Sequence, residues 1–212
     1  MKEYQILFLT LAIKSKALQF GEFTLKSGRL SPYFFNAANM LNGINLYELA
    51  SCYADAIDDK NLEFNCIYGP AYKGIFLGSI VATLLSKHGK SYPLSFNRKE
   101  FKDHGEGGSI IGANPEGNVL IIDDVLSAGT AARESIENIK NLNATPKSFI
   151  VGLDRQEKGQ RNISSSEELK KDFNLDVESI INLDTLIGFV KNESTFGNHL
   201  DQLLQYRERW GA

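Results

Sequence analysis

The sequence predicts an α/β fold with a mainly parallel central sheet flanked by helices, and three observations support this prediction. Short apolar runs alternate with longer stretches whose apolar residues recur at helical spacing. The runs at 66–68, 119–122 and 147–153 are rich in apolar residues, which is typical of parallel strands covered by helices on both faces. Charged residues follow the runs at 119–122 and 147–153, and ligands bind at the carboxyl edge of open α/β sheets.

The remaining elements follow from periodicity and from Gly and Pro positions. Helical spacing predicts helices at 3–19, 45–59, about 75–88, about 129–142, 165–173, about 183–191 and 196–210. Asn45 and Glu48 resemble a capping box, which predicts Asn45 as the N-cap of its helix. Further strands are predicted at 92–96, 109–112 and 175–181, and a hairpin at 23–36. We expect one domain over residues 1–212, because no long linker or internal repeat divides the chain.

The composition excludes several classes of protein. Hydrophobic residues make up 42% and charged residues 23% of the chain, and the net charge of -3 gives no sign of nucleic-acid binding. Cys52 and Cys66 have no C-x-x-C spacing, which argues against a zinc site and fits a reducing cytosol. There is no signal-peptide pattern and no apolar run of ~20 residues. We expect a cytoplasmic protein that binds neither nucleic acid nor membrane.

Two adjacent carboxylates follow the apolar run at 119–122. Asp123 and Asp124 should emerge at the sheet edge, because unpaired buried charge is very unfavourable. The small residues at 127–130 and a helix starting near Gly129 would present backbone N–H groups and a helix dipole to a phosphate. The hydroxyls of Ser127 and Thr130 can donate to the same oxygens. The carboxylates would repel a phosphate but accept hydrogen bonds from a ribose diol, so the stretch predicts a ribose-5-phosphate site.

Each part of this stretch also has a simpler interpretation. Asp123 could cap a turn, and Gly129 with Thr130 could form an ordinary strand-to-helix connection. The whole run is more specific and resembles the signature of the type I phosphoribosyltransferase family for 5-phosphoribosyl 1-diphosphate (PRPP). Walker A and dinucleotide-binding fingerprints are both absent. The resemblance implies PRPP contacts at Asp123, Asp124, Val125, Leu126, Ser127, Ala128, Gly129, Thr130 and Ala131, with both aspartates catalytic.

Three further motifs resemble the orotate phosphoribosyltransferase family within that group. They are F-x-L-K-S-G-R at 23–29, Y-F-F-N at 33–36 and R-K-E-x-K-D-H-G-E-G-G at 98–108. The resemblance implies a small hood contributed mainly by about 1–40, with Lys26 contacting both substrates. It also implies that Phe34 and Phe35 line a pyrimidine pocket. Without the resemblance, Lys26 would be a solvated turn residue and the two phenylalanines core residues.

The polar stretch 97–108 predicts a mobile loop, because it is densely charged and ends in three glycines within four residues. Such charge runs are usually solvated, but four basic groups within seven residues could also wrap a pyrophosphate. The resemblance implies a catalytic lid that reaches the partner's site in a homodimer. Its PRPP-binding residues would be Arg98, Lys99, Lys102 and His104, with Lys102 acting in catalysis.

Two more strand ends carry candidate contacts. Tyr72 and Lys73 stand at a strand-to-helix turn that resembles the family's pyrophosphate loop. A lysine at the positive end of a helix dipole is mildly unfavourable, which slightly favours a bound anion there. Arg155 follows the run at 147–153 and would by itself be a surface ion-pair residue. The resemblance places it on the orotate carboxylate, where a guanidinium can bind in a bidentate way, with Ser127 also on the orotate side.

The resemblance implies a reaction of orotate with PRPP that gives orotidine 5′-monophosphate and diphosphate, in the de novo synthesis of UMP. The enzyme would be a glycosyltransferase of the pentosyltransferase class, with Mg²⁺ bound mainly through PRPP. Ser127 stands where many members have threonine, but the hydroxyl is kept. The rivals are a phosphoribosyltransferase for another base and a regulator that binds PRPP without chemistry.

Overall fold

A computed structural model describes residues 1–25, 27–102 and 108–212, with the backbone alone of 100–102 and 108. Its strands are β1 Leu18–Thr24, β2 Leu30–Phe35, β3 Cys66–Gly69, β4 Leu94–Lys102, β5 Gly108–Gly112, β6 Asn118–Leu126, β7 Thr145–Asp154 and β8 Asp176–Asn182. Its α-helices are α1 Glu3–Lys14, α2 Ile44–Asp59, α3 Lys73–Lys87, α4 Thr130–Asn141, α5 Ser165–Phe173, α6 Leu183–Asn192 and α7 Leu200–Trp210. Short 3₁₀ turns cover Ala37–Met40 and Ser194–His199.

The central sheet has six strands in the order β5-β4-β3-β6-β7-β8. All neighbours pair in parallel except β4 with β5, which pair antiparallel. The strand β3 lies between β4 and β6. After β3 the chain continues into β4 on one side, and after β6 it continues into β7 on the other side of the sheet's centre. Such a reversal of strand order is where open α/β sheets bind ligands. The predicted fold class, a mainly parallel sheet flanked by helices, is confirmed.

Helices cover both faces of this sheet, which explains the apolar strands. Because successive side chains of a strand point to opposite faces, neighbouring residues enter different cores. One core contains side chains of α1, α2 and α3 together with Ile67, Leu120, Ile122 and Ile150. The other contains side chains of α4 and α5 together with Tyr68, Ile121, Phe149 and Val151. No helix in the described ranges is long and apolar enough to cross a bilayer.

The small sheet lies apart from the central one and consists of β1 and β2, an antiparallel hairpin. It confirms the hairpin predicted around Ser27, but the first helix was predicted too long. That helix ends at Lys14 instead of residue 19, and Lys16 has a φ of 57° that turns the chain into β1. Ala17 and Leu18 resume the apolar pattern after Lys14, Ser15 and Lys16, which is why periodicity alone extended the helix.

Other element boundaries also differ from the prediction. The N-cap of α2 is Gly43, and Asn45 lies inside the helix rather than capping it. The last α-helix begins at Leu200, after a 3₁₀ turn. Residues 97–102, predicted as a loop, extend β4, because Asn97 pairs with Ile110 and Lys102 pairs with Gly108 across the antiparallel hairpin. Pairing between backbones therefore prevails over the polar composition of this segment.

A glycine contact brings α3 close to β6. A Cβ atom on Gly74 would lie 2.7 Å from the carbonyl oxygen of Ile122 and 2.8 Å from the carbonyl carbon of Gly69. Only glycine therefore permits the backbone of α3 to approach the two strands this closely. The consequence for function is that Lys73, at the start of α3, lies beside the carboxylates of β6.

Candidate active site at the carboxyl edge of the sheet

A cavity of about 810 Å³ lies between the β1–β2 hairpin and the carboxyl edge of the central sheet. The hairpin and the segment after it contribute Thr24, Leu25, Ser27, Phe34, Phe35 and Asn36. The sheet side contributes Lys73, residues 123–132, Phe149 and Arg155. The fold thus brings together Lys73, the acid pair Asp123–Asp124 and residues 127–131, which we call the phosphate turn. The predicted orotate residues Phe34, Phe35, Ser127 and Arg155 line the same space.

The acid pair is held by three contacts from different elements. The Nζ atom of Lys73 lies 2.6 Å from Oδ2 of Asp124. The backbone N–H of Asp124 donates to Oδ1 of Asp123 at 2.9 Å. The buried hydroxyl of Tyr53 on α2 donates to the carbonyl oxygen of Asp123 at 2.8 Å. The two carboxylates therefore have different partners and fixed positions.

Their electrostatic environments differ as well. Burial and, after it, the neighbouring charge of Asp124 raise the pKa of Asp123 to about 7, against smaller opposing effects of the Asp124 N–H and Lys73. Near neutral pH, Asp123 is therefore present in both protonation states. Asp124 is paired with an ammonium group. A carboxyl and a carboxylate side by side can exchange hydrogen bonds with the two hydroxyls of a vicinal diol.

The turn after β6 has the form expected of an anion site. Gly129 has a φ of 79°, which favours glycine, and it is the N-cap of α4. The Ser165 hydroxyl donates to the carbonyl oxygen of Ser127 and ties the turn to α5. The helix starts directly at the cavity, so its first N–H groups and dipole favour a negative ligand.

The hydroxyl of Ser127 has an unexpected partner. It donates to Oε2 of Glu157 at 2.8 Å rather than standing free at the phosphate turn. Its predicted donation to a phosphate would have to replace this bond. The backbone N–H groups of the turn remain the simpler phosphate ligands, and the PRPP and orotate contacts of Ser127 remain predictions.

Arg155 is buried rather than on the surface, with 3% of its area exposed. Its Nε donates to Glu157 at 2.5 Å, and its Nη2 donates to the hydroxyls of Ser31 at 2.8 Å and Tyr206 at 3.0 Å. The guanidinium also lies 4.1 Å from the centroid of the Tyr33 ring. A bidentate contact with a carboxylate through Nε and Nη2 would have to replace these bonds. Nη1 is therefore the nitrogen that could meet the predicted orotate carboxylate without breaking them.

Sequence reasoning missed Glu157 and Tyr206. The helical spacing over 196–210 makes Tyr206 an apolar position of the last helix, and every predicted site residue lies at or before Arg155. The one signal available was the acid at 157, two positions after Arg155 at a strand end. Nothing local in the sequence links Tyr206 to it, because α7 reaches the site only through the tertiary fold.

The aromatic residues of the hood have distinct positions. Phe35 is buried and packs on Phe8 with ring centroids 5.8 Å apart. Phe34 is 37% exposed and stacks on Phe23 at 5.5 Å. Both line the cavity, so both can present an apolar wall to a flat ligand.

Three of the remaining predicted contacts are described by the structure, and they do not line the cavity. Tyr72 is exposed on the surface, Arg98 is half-buried and Lys99 is exposed, and none of these three is among the described residues that line the cavity. Lys26, His104 and the side chain of Lys102 lie outside the described residues. Their predicted roles therefore remain predictions.

Comparison with known proteins identifies the family. No protein-family model matches the chain. The orotate phosphoribosyltransferase of Marinobacter nauticus is 49% identical over 212 residues, covering 100% of both chains. The enzyme of the same name from Proteus mirabilis is 48% identical over 100% of this chain and 99% of its own. The chain belongs to the orotate phosphoribosyltransferase family.

A solved structure agrees with this membership. The orotate phosphoribosyltransferase of Francisella tularensis superposes with a TM-score of 0.84 at 39% identity, over 97% of this chain and 100% of that one. The predicted family, fold and enzyme class, a pentosyltransferase of pyrimidine biosynthesis, are confirmed. Because the similarity to the Marinobacter nauticus enzyme spans the whole chain, it includes the hood as well as the central sheet.

The raised pKa of Asp123 predicts a pH-dependent stability. Its pKa is about 7 in the folded chain against an ordinary value of 3.8. Since ionisation is harder in the folded state, this residue's contribution to stability is present below about pH 4 and is lost as pH rises to about 7. Asp123→Asn should therefore raise the melting temperature, relative to the unmodified chain, more at pH 8 than at pH 5. Thermal unfolding without ligand measures this difference.

The matched control is Asp201→Asn, an exposed aspartate on α7. Its effect on the melting temperature should be the same at pH 5 and pH 8. An equally constant effect for Asp123→Asn would contradict the raised pKa.

Proposed function

We propose that the chain transfers the 5-phosphoribosyl group of PRPP to orotate, giving orotidine 5′-monophosphate and diphosphate. The observation that carries this proposal is the shared cavity. The acid pair with Lys73, a helix N-terminus after a small-residue turn, and a cluster of aromatic rings with Arg155 lie around one space. Together they match a ligand pair that combines a diol, a phosphate and a flat carboxylate.

The proposed arrangement places each part of the substrates by its chemistry. The 5′-phosphate would bind the backbone N–H groups of 127–131, and the ribose diol would bind Asp123 and Asp124. The orotate ring would lie near Phe34 and Phe35, with its carboxylate toward Arg155 and Ser127. The pyrophosphate would lie toward Lys73, Tyr72 and the lid.

Lys73 would change its ion-pair partner when PRPP binds. In the substrate-free chain its ammonium group is paired with Asp124, and its side chain is 40% exposed. A pyrophosphate carries more negative charge than one carboxylate and attracts the ammonium more strongly. We infer that Lys73 moves to the pyrophosphate when PRPP binds, which frees Asp124 to accept a ribose hydroxyl.

The mechanism follows from where charge develops. A nitrogen of the orotate ring forms a bond to the anomeric carbon while the bond from that carbon to the pyrophosphate oxygen breaks, and the proton of that nitrogen would pass to the leaving pyrophosphate. Positive charge on the ribose ring would be stabilised by the nearby carboxylates, and negative charge on the leaving oxygens by Lys73, Arg98, Lys99, Lys102 and His104. Lys102 is proposed to act on the leaving group. Exclusion of water by the lid would suppress hydrolysis of PRPP.

Mg²⁺ is the proposed cofactor. Among the described residues, no group of three or more His, Cys, Asp or Glu side chains is placed to hold a metal ion. The paired carboxylates supply hard oxygen ligands that fit Mg²⁺, which usually binds with substrate phosphates and few protein ligands. When bound with PRPP, it would neutralise charge on the leaving pyrophosphate.

Assembly and location complete the proposal. We propose a homodimer in which the lid residues Arg98, Lys99, Lys102 and His104 act on the partner's site, which would explain why Arg98 and Lys99 do not line the cavity of their own chain. The chain would act as a single domain over 1–212. Buried free thiols at Cys52 and Cys66 fit a cytoplasmic location, and neither nucleic acid nor membrane is a proposed partner.

The function predicts consumption of orotate that requires PRPP and Mg²⁺. Purified protein should remove the orotate absorbance when all three are present and leave it unchanged when PRPP or Mg²⁺ is omitted. Uracil and hypoxanthine in place of orotate should give turnover at least about tenfold lower, since each lacks the carboxylate that a buried cation would recognise. Faster turnover of either base than of orotate would contradict the assignment.

The shared site predicts complementation between two inactive variants. Lys102→Gln and Asp124→Asn should each lower kcat by about 10²–10³. Mixed chains should recover activity, because one site of a hybrid dimer would combine an intact acid pair with an intact lid. The absorbance assay measures the recovery, with each variant alone as control. Absence of recovery, after differently tagged chains have been seen to exchange, would contradict action in trans.

A further inference from the structure

One buried carboxylate joins four parts of the molecule. Oε2 of Glu157 accepts hydrogen bonds from Nη1 of Arg29 at 2.6 Å and from Oγ of Ser127 at 2.8 Å. Oε1 accepts from Nε of Arg155 at 2.5 Å and from the hydroxyl of Tyr206 at 2.5 Å. The Glu157 side chain has no exposed area, so these four donors take the place of its hydration.

The charge of this group is maintained in spite of burial. Burial by itself would raise the pKa of Glu157, but the charge of Arg155 and hydrogen bonds from Tyr206, Arg155 and Ser127 lower it below its ordinary value. An ionised carboxylate with four donors is far more strongly held than a neutral acid in the same place. Glu157 therefore acts as a fixed anion to which the donors are attached.

The four donors come from separate elements. Arg29 belongs to the connection of the β1–β2 hairpin, Ser127 to the phosphate turn, Arg155 to the end of β7 and Tyr206 to α7. Two of them, Ser127 and Arg155, line the cavity. Because both bind the same carboxylate, neither can shift without disturbing the other.

We propose that Glu157 is a positioning residue for the pyrimidine substrate, which it never touches. Resting on the proposed function, the inference is that Glu157 holds the Arg155 guanidinium where it receives the carboxylate of orotate. A direct role is excluded by charge, since a buried anion would repel that carboxylate. Tyr206 and Arg29 in turn hold Glu157 in place.

The orientation of Arg155 supports this role. Its Nε is attached to Glu157, and its Nη2 is shared between Ser31 and Tyr206. The stack on Tyr33, at 4.1 Å, fixes the plane of the guanidinium. These contacts leave Nη1 as the nitrogen that takes no part in them. Loss of the Glu157 charge would let the guanidinium turn and would raise the entropy lost when a ligand binds.

A purely structural ion pair would behave differently from a positioning residue. Breaking it would lower the melting temperature and the yield of folded protein, but the folded fraction would bind orotate normally. A positioning role changes the KM for orotate more than the KM for PRPP. The phosphate turn keeps its own support, because Ser165 holds the carbonyl oxygen of Ser127.

The test is Glu157→Gln, which keeps the shape and removes the charge. We expect the KM for orotate to rise about tenfold or more, as for loss of charge-assisted hydrogen bonds, with the KM for PRPP within about threefold of that of the unmodified chain. Tyr206→Phe leaves the carboxylate charged and removes one donor, so it should raise the KM for orotate about threefold to tenfold.

The matched control is Glu168→Gln. Glu168 is also fully buried and paired, with Arg133 and Arg161, but these partners do not line the cavity. This variant should lower the melting temperature and leave the KM for orotate unchanged.

The outcomes are distinguishable. Unmodified protein that fails to consume orotate overturns the proposed function itself. Suppose that the unmodified protein is active. The positioning role is then overturned if folded Glu157→Gln and folded Tyr206→Phe both have a KM for orotate within about twofold of that of the unmodified protein. If Glu157→Gln does not fold, Tyr206→Phe alone decides by the same criterion.

Discussion

The ion pair between Lys73 and Asp124 is the interaction on which the rest of the site depends. It joins the start of α3 to the end of β6 at the point where strand order reverses. The close approach of Gly74 to β6 makes it possible, and the Tyr53 hydroxyl on α2 fixes the backbone of the acid pair. Two adjacent carboxylates can therefore remain at a desolvated edge, one ion-paired and the other with a raised pKa.

A second buried charge organises the opposite end of the cavity. Glu157 gathers donors from the hood, the phosphate turn and α7, so elements distant in sequence share one anion. At the first end carboxylates line the cavity, and at the second Glu157 stands behind the lining residues Ser127 and Arg155. Under the proposed function, this division would place acceptors toward the sugar and donors toward the base.

The strands, their burial and the position of the acid pair at the sheet edge could be predicted from the sequence, because each depends on short-range pattern. The run before Asp123 is apolar because helices cover both faces, and the small residues after Leu126 reflect a helix start at the cavity. The end of the first helix, the extension of β4 and the partners of Arg155 could not be predicted. They depend on chain turns, backbone pairing and a tyrosine 51 residues away, which local pattern does not encode.

The most direct test of this account is a crystal structure of the protein with PRPP and Mg²⁺ in the absence of orotate. We predict that the ribose hydroxyls lie within about 2.6–3.2 Å of the Asp123 and Asp124 oxygens. The 5′-phosphate should lie at the N–H groups of 127–131, and Nζ of Lys73 should have left Asp124 for the pyrophosphate. PRPP bound elsewhere, with the Lys73–Asp124 pair intact, would contradict the central claim.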